Sequence, residues 1–88
     1  MNNSRRKEIA AAQDRLADVM SMADSIKEEL DNIKSEEEEY LENMPESLQS
    51  GERGENAQAA IDALDEVIGV LDDLIGSGSE DRLSDAQN

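Results

Sequence analysis

The sequence predicts an all-α protein: an antiparallel two-helix hairpin with a long first helix and a shorter second helix. Apolar residues recur at helical spacing through two long segments, and the stretch between them contains the only proline and two of the five glycines. The chain has 88 residues and no Trp, Phe or Cys, so a single hairpin would have a poor core and no disulfide to support it. We therefore expect hairpins to oligomerise as a coiled coil or helical bundle.

The first helix is predicted over about residues 4–43. No glycine or proline occurs in this range, and Ser4 is the expected N-cap. An uninterrupted helix of about 39 residues would be roughly 58 Å long. Its apolar residues form two series of period seven, offset by three, which together predict one coiled-coil stripe. The series are Ile9, Leu16, Ala23 and Leu30, and Ala12, Val19, Ile26, Ile33 and Tyr40.

The second helix is predicted over about residues 55–75, where apolar residues are spaced by three and four as on one face of a helix. Gly69 interrupts this pattern at a cost of about 1 kcal/mol relative to Ala, and we expect a close crossing of the two helices to explain it. Gly76 should end the helix. The hairpin domain would then comprise residues 1–76, and residues 77–88 are predicted to form a flexible acidic tail.

The two helices differ in length, and this difference predicts an interface. The second helix would be about 32 Å long and would cover the first helix only as far as about residues 20–23. The stripe before that point would have no partner within the chain, so we expect it to mediate a dimer or a larger bundle. The predicted oligomer interface comprises Ile9, Ala12, Leu16 and Val19.

The tip, residues 44–54, joins the two helices. Pro45 disfavours helical geometry at Met44, and Ser50 can cap the second helix. The tip is longer than a helix–helix connection needs, so two interpretations remain open: a well-built connection or a recognition surface. The candidate partner-binding residues are Tyr40, Met44, Pro45, Glu46, Leu48, Glu52 and Arg53.

The tip and the second helix also carry a sequence motif. Residues 36–55 are EEEEYLENMPESLQSGERGE, and residues 60–75 are AIDALDEVIGVLDDLI. This stretch resembles a family of short acidic proteins of tailed bacteriophages and prophages, which combine an acidic helix ending in tyrosine, an N-[LM]-P-E-S-L-Q…E-R-G tip and an A-I-D-x-L helix. Gly51 stands where the family more often has a polar residue. The resemblance implies a phage or prophage origin; it brings no established activity and no catalytic residues. Because the sequence shows no secretory signal, no apolar run of membrane-spanning length and no cysteine, we expect a location in the cytoplasm, here that of the bacterial host.

Charge and composition exclude several functions. The chain has 23 acidic and 8 basic residues, and only residues 1–15 are net positive, so direct binding to nucleic acid or to an anionic membrane is disfavoured. The acidic run Glu36–Glu39 is splayed around a helix and cannot converge on one ion, so we expect a solvated face and no metal or other cofactor. Without His, Cys or a glycine-rich phosphate loop, an enzyme is not expected.

The sequence leaves three functions open. The first is a non-enzymatic phage protein that binds a host protein with a basic surface, for example by imitating DNA to inhibit a host defence or nucleic-acid-processing enzyme. The second is a structural or assembly accessory coiled coil. The third is a sponge that captures a nucleotide at an oligomer interface, near Arg53 or near Arg5 and Arg6.

Overall fold

The computed structural model describes residues 2–87, and in this part of the chain the secondary structure is helical, without strands. The all-α prediction is therefore confirmed. The helices are α1 (Asn3–Glu42), α2 (Glu46–Gln49), α3 (Glu52–Ile75) and α4 (Ser79–Ala86). Met1 and Asn88, the outer ends of the predicted domain 1–76 and tail 77–88, lie outside the described residues.

Helix α1 is a single rod that determines the length of the molecule, whose longest dimension is 67 Å. It begins one residue before the predicted Ser4. The cap is Asn2, whose side-chain oxygen accepts a hydrogen bond from the backbone N–H of Arg5 at 2.8 Å. Asn caps a helix as well as Ser does, and the observed cap lies two residues before the predicted cap Ser4. At the other end, the Asn43 N–H donates to the Glu39 carbonyl at 3.0 Å and the helix stops before Pro45.

Helix α3 packs along α1 and runs in the opposite direction. Lys27 Nζ lies 2.7 Å from an Asp72 carboxylate oxygen, and Lys34 Nζ lies 2.6 Å from one of Asp65. Residue numbers therefore rise along α1 as they fall along α3. The two ion pairs are seven residues apart on each helix, so they fix the register over two turns. Within residues 2–87, the buried apolar residues are Ala23, Met44, Ala57, Ile61 and Ile68.

One heptad series of α1 faces the interior, and the other does not. We define the inner seam of α1 as its buried and half-buried residues spaced by three and four: Ile9, Gln13, Leu16, Met20, Ala23, Lys27, Leu30, Lys34, Glu37, Leu41 and, just after the helix, Met44. The sequence pattern combined both apolar series in one stripe. In the structure, the inner series alternates instead with polar residues such as Lys27 and Lys34, whose aliphatic stems cover apolar surface while their charged ends reach α3.

The segment predicted to be a flexible tail contains a helix. After Gly78, which has a φ of 71° and turns the chain, α4 packs on the first half of α1. Gln13 Nε2 donates to the Glu80 carbonyl at 2.9 Å and to Ser84 Oγ at 2.6 Å, and Gln87 Nε2 donates to Gln13 Oε1 at 2.6 Å. These contacts are mostly polar, which explains why a search for apolar periodicity overlooks this helix.

The close approach predicted at Gly69 is wrong. A Cβ placed on Gly69 would have no atom within 4 Å, because this residue points to solvent. The tight contact lies instead at Gly54, in the first turn of α3 and buried. A Cβ there would overlap the carbonyl group of Gln49 and lie 2.7 Å from the Gln49 Cα. Glycine is thus required where α2 crosses the start of α3.

Candidate interaction surfaces

The tip is an ordered turn that satisfies its own polar groups. Pro45 precedes α2, and its carbonyl accepts from the N–H groups of Leu48 at 2.8 Å and Gln49 at 3.1 Å. The side-chain amide of Gln49 donates to the Met44 carbonyl at 2.9 Å. With Gly54 packed beneath Gln49, the backbone of the tip is held from both sides. The tip therefore has the construction expected of a structural connection.

The predicted partner-binding residues of the tip do not form one surface. Met44 is only 9% exposed, so its side chain belongs to the packing of the turn and is not accessible to a partner. The prediction of Met44 as a contact residue is corrected for this reason. Leu48 is 40% exposed, and Tyr40 projects from α1 on the face described below. The remaining candidates are exposed at the tip: Pro45, Glu46, Glu52 and Arg53.

The predicted oligomer interface also divides into two parts. Ile9 and Leu16 are half-buried on the inner seam, on either side of Gln13, where α4 packs. Their prediction as unpartnered residues is wrong because α4 covers this part of α1. Ala12 and Val19 belong to the second heptad series and are exposed.

The second heptad series forms an outer apolar face together with residues of α3. We define this face by the large apolar residues Val19, Ile26, Ile33, Tyr40, Val67 and Val70, which are between 40% and 62% exposed. The four α1 residues each directly precede an inner-seam residue, and Val67 directly precedes buried Ile68. Two antiparallel helices are related by a two-fold axis that is normal to the plane containing both helices. Equivalent heptad positions of the two helices therefore lie on the same side of this plane. Both rows therefore contribute to one continuous face.

Further apolar residues of α3 extend this face without interrupting it. Ala60 and Leu74 continue the row of Val67 at seven-residue spacing, and Ala63 lies seven residues before Val70. This side of α3 therefore carries no charged residue from Ala60 to Leu74. A contiguous apolar surface of this kind is unusual on a protein that works alone.

The opposite side of the helix pair is acidic. We define the acidic flank as Asp24, Asp31 and Glu38 of α1 with Asp65 and Asp72 of α3, which occupy equivalent heptad positions. The hydrogen bond that Lys27 donates to the Asp72 carboxylate, together with the negative charge of Asp72, raises the pKa of Lys27. The hydrogen bond that Lys34 donates to the Asp65 carboxylate likewise raises the pKa of Lys34. In residues 2–87, salt bridges engage only four carboxylates, those of Glu38, Asp65, Asp72 and Asp85.

The arginines named for nucleotide capture are separated in the chain. Arg5 and Arg6 lie in the first turn of α1, whereas Arg53 lies in the first turn of α3 beside the tip, at the far end of a rod of 40 residues. A shallow cleft of about 230 Å³ is located where α3 joins α4, and its lining includes Met20, Ser79 and Glu80 but no basic residue. One chain therefore does not assemble a cationic pocket from these groups.

Other kinds of site have no counterpart in the described chain. Residues 2–87 contain no cluster of three or more carboxylates arranged to hold a metal ion. Within the same residues, none of the helices is both long and apolar enough to cross a membrane. No protein family, curated protein or solved structure matches this chain. The surfaces are therefore judged from their own geometry.

Proposed function

We propose that this chain is a small non-enzymatic interaction protein of bacteriophage or prophage origin, which works as a self-associating antiparallel hairpin in the cytoplasm of a bacterial host. It binds a host protein with a basic surface in a fixed stoichiometry. The motif from Tyr40 to Gly54 supports the proposed origin, and the outer apolar face supports self-association. The net charge of −15 supports the basic character of the partner.

The observation that carries this proposal is the density of unneutralised negative charge along a rod. A net charge of −15 over 67 Å corresponds to about one negative charge per 4.5 Å. Two copies side by side would have about one per 2.2 Å, close to the one per ~1.7 Å of duplex DNA. A protein surface that binds DNA phosphates would therefore find a comparable line of charge on the dimer. The proposed result is inhibition of a host defence or nucleic-acid-processing enzyme.

A second candidate is a structural or assembly accessory. The outer apolar face favours it, since self-association of rods about 60 Å long is sufficient for an assembly role. In this case the acidic residues would keep the assembly soluble and would bind no basic partner.

Affinity capture with charge variants tests the proposal. The tagged chain is exposed to host lysate, and duplex DNA is added as a competitor at several salt concentrations. The flank variant Asp24→Asn with Asp31→Asn removes two charges that make no salt bridge in the structure. The matched tip variant Glu46→Gln with Glu52→Gln removes two charges from the tip. We expect DNA and salt to release the captured protein, and the flank variant to capture several-fold less of it than the tip variant.

Two outcomes would contradict this proposal. If the tip variant loses capture while the flank variant retains it, the tip is the contact and the acidic flank is not. If neither DNA nor salt displaces the captured protein, the surface does not act as a mimic of nucleic acid. Capture that fails for every variant and in every host fraction would favour the assembly role.

A further inference from the structure

We propose that the outer apolar face binds a second copy of this chain, related to the first by a two-fold axis that passes near Leu30 at right angles to the rod. This inference rests on the self-association included in the proposed function. It adds which surface of the chain forms the interface, how the two copies are aligned and in which direction the partner runs. Helix α1 then lies against the partner's α1, and α3 against the partner's α3, so that the rods point in opposite directions.

The outer apolar face is nearly symmetric about this axis. An interface between identical copies must be self-complementary, so each residue and its contact exchange roles across the axis. The midpoint of Val19 and Tyr40 falls beside Leu30 in α1, and the midpoint of Ile26 and Ile33 falls at the same point. In the proposed pair, Ile26 packs on the partner's Ile33, and Val19 packs on the partner's Tyr40.

The register between the helices places the α3 residues at the same centre. Asp72 is opposite Lys27 and Asp65 is opposite Lys34. This register places the point of α3 midway between Val67 and Val70 approximately opposite Leu30 of α1. The two rows of the face therefore share one centre, although nothing in the fold of a single chain requires this. Val67 would pack on the partner's Val70.

The area of the face is adequate for a dimer. Val19 and Tyr40 are 21 residues apart on one helix, or about 31 Å, and two adjacent helices are roughly 20 Å wide. The face thus covers roughly 600 Å² per copy, or roughly 1,200 Å² in a pair, at the lower end of stable protein interfaces. Burying half-exposed Ile, Val and Tyr side chains supplies the driving force.

Charge selects the orientation of the two rods. With the axis along the rods, both tips would meet, and the acidic residues of the two tip ends, among them Glu42, Glu46 and Glu52, would lie at the same end of the dimer. With the axis across the rods, α1 residues of the two copies whose numbers sum to 59 lie level, so Arg15 of each copy comes level with Met44 at the acidic tip end of the partner. Opposite charges attract in the second arrangement and like charges repel in the first, so the crossed axis is favoured.

Sedimentation equilibrium of matched charge variants tests the face. Ile33→Glu places a carboxylate on the outer apolar face at a residue that is already half-exposed, so the single chain keeps its fold. Asn32→Glu adds the same charge to the neighbouring exposed position outside the face. We expect wild type and Asn32→Glu to be dimers and Ile33→Glu to dissociate with a dissociation constant raised more than tenfold. Circular dichroism verifies that all three proteins are helical.

A second pair of variants makes the test independent of one position. Val67→Glu lies on the face, and Ala59→Glu lies on the exposed side of α3 away from it. Dissociation by Val67→Glu but not by Ala59→Glu supports the face. A wild-type monomer at high micromolar concentration, or a dimer that survives both Ile33→Glu and Val67→Glu, overturns the proposal.

Cysteine cross-linking tests the orientation, because the natural chain has no cysteine to interfere. Each variant is made as a separate chain, and two are mixed with a short bismaleimide. Chains with Val19→Cys and Tyr40→Cys should cross-link to each other, since these positions meet across the proposed axis. Chains with Tyr40→Cys and Ala60→Cys should not. The reverse result would show that the axis runs along the rods and would overturn the proposed orientation.

Failure of this inference can be distinguished from failure of the proposed function. Asp24 and Asp31, which the capture assay tests, lie on the acidic flank and remain exposed in the proposed dimer. If the wild-type chain is a monomer but the flank variant still loses capture, the proposed dimer is refuted and the proposed basic partner is retained. A dimer that captures nothing would retain the interface and refute the partner.

Discussion

The two ends of the helix pair are closed by different means. At the tip end, Gly54 allows the backbone of Gln49 to lie against α3, and the Met44 side chain is buried below the turn. At the other end, the separate helix α4 is held by side-chain hydrogen bonds of Gln13 and by half-buried Leu83. The backbone contact in the short tip cannot be released unless α1 and α3 separate. The docked helix α4 can detach while α1 and α3 remain paired. We therefore expect the α4 end to open locally and the tip end to open only on global unfolding.

Gly54→Ala should have the largest effect, because it damages the end that cannot yield. The added methyl group would overlap the Gln49 carbonyl, so the tip backbone must move away from α3. We expect the free energy of unfolding to fall by about 3 kcal/mol, the upper part of the range for overpacking. Urea unfolding followed by circular dichroism measures this change.

Gly69→Ala is the matched control on the same helix. Gly69 is exposed and a Cβ there meets no neighbouring atom, so the substitution only improves helix propensity. We expect the free energy of unfolding to rise by about 1 kcal/mol. Equal effects from the two substitutions would show that Gly54 makes no close contact and that the tip end is not sterically fixed.

Met44→Ala should weaken the same end by a smaller amount. Removing a buried methionine side chain costs 2–5 kcal/mol in well-packed cores, and this shallow site should lie near the lower limit, at about 2 kcal/mol. Leu48→Ala, at an exposed tip position, should change stability by less than about 0.5 kcal/mol. Chemical denaturation of both variants provides the comparison. A larger loss for Leu48→Ala would mean that Leu48, and not Met44, closes the tip end.

The sequence predicted α1 and α3 well because the causes of these two helices are local. An unbroken heptad pattern predicts a long α1, and Pro45 predicts the break that follows it. The contacts that close the ends are not local. Only glycine fits at position 54 because the backbone of Gln49 lies against it, and helix propensity does not reveal this contact. Helix α4 is held largely by the amide of Gln13, 67 residues from its acceptor Glu80, and an exposed-looking polar residue gives no sign of such a partner.

The candidate interface was only partly predictable for a similar reason. Apolar periodicity predicts Val19 as an interface residue, but both apolar series of α1 look alike in the sequence. The structure separates them because Lys27 and Lys34 point toward Asp72 and Asp65 of α3. A pattern of apolar spacing does not count lysine as a core residue. In this structure, however, Lys27 and Lys34 determine which side of α1 is covered by α3. The exposed apolar surface therefore extends from Val19 to Tyr40 and is not confined to the start of α1.

Gln13→Ala should loosen the α4 end and leave the tip end unchanged. The substitution removes the amide that bonds to Glu80, Ser84 and Gln87. We expect a loss of about 1 kcal/mol and faster amide hydrogen exchange confined to α4 and the start of α1. Gln58→Ala is the control, since Gln58 bonds only to Asp62 on its own helix, and it should leave exchange in α4 unchanged. Unchanged exchange in α4 for both variants would show that Gln13 does not hold this helix.

Between the two ends, the ion pairs that fix the register should respond to alkaline pH. The bonded carboxylates of Asp72 and Asp65 raise the pKa values of Lys27 and Lys34 above the ordinary value of 10.5. A group with a raised pKa in the folded state contributes stability that is complete below its unfolded pKa and is lost as pH rises through its folded pKa. We expect a small decline in stability that begins above about pH 10.5.

The stability of the variant Lys27→Arg with Lys34→Arg should decline less over the same pH range, because arginine keeps its charge there and other titrating groups are common to both proteins. Parallel urea titrations from pH 8 to 11.5 measure the difference, and identical pH profiles would show that these pairs do not contribute to the packing of α3 on α1.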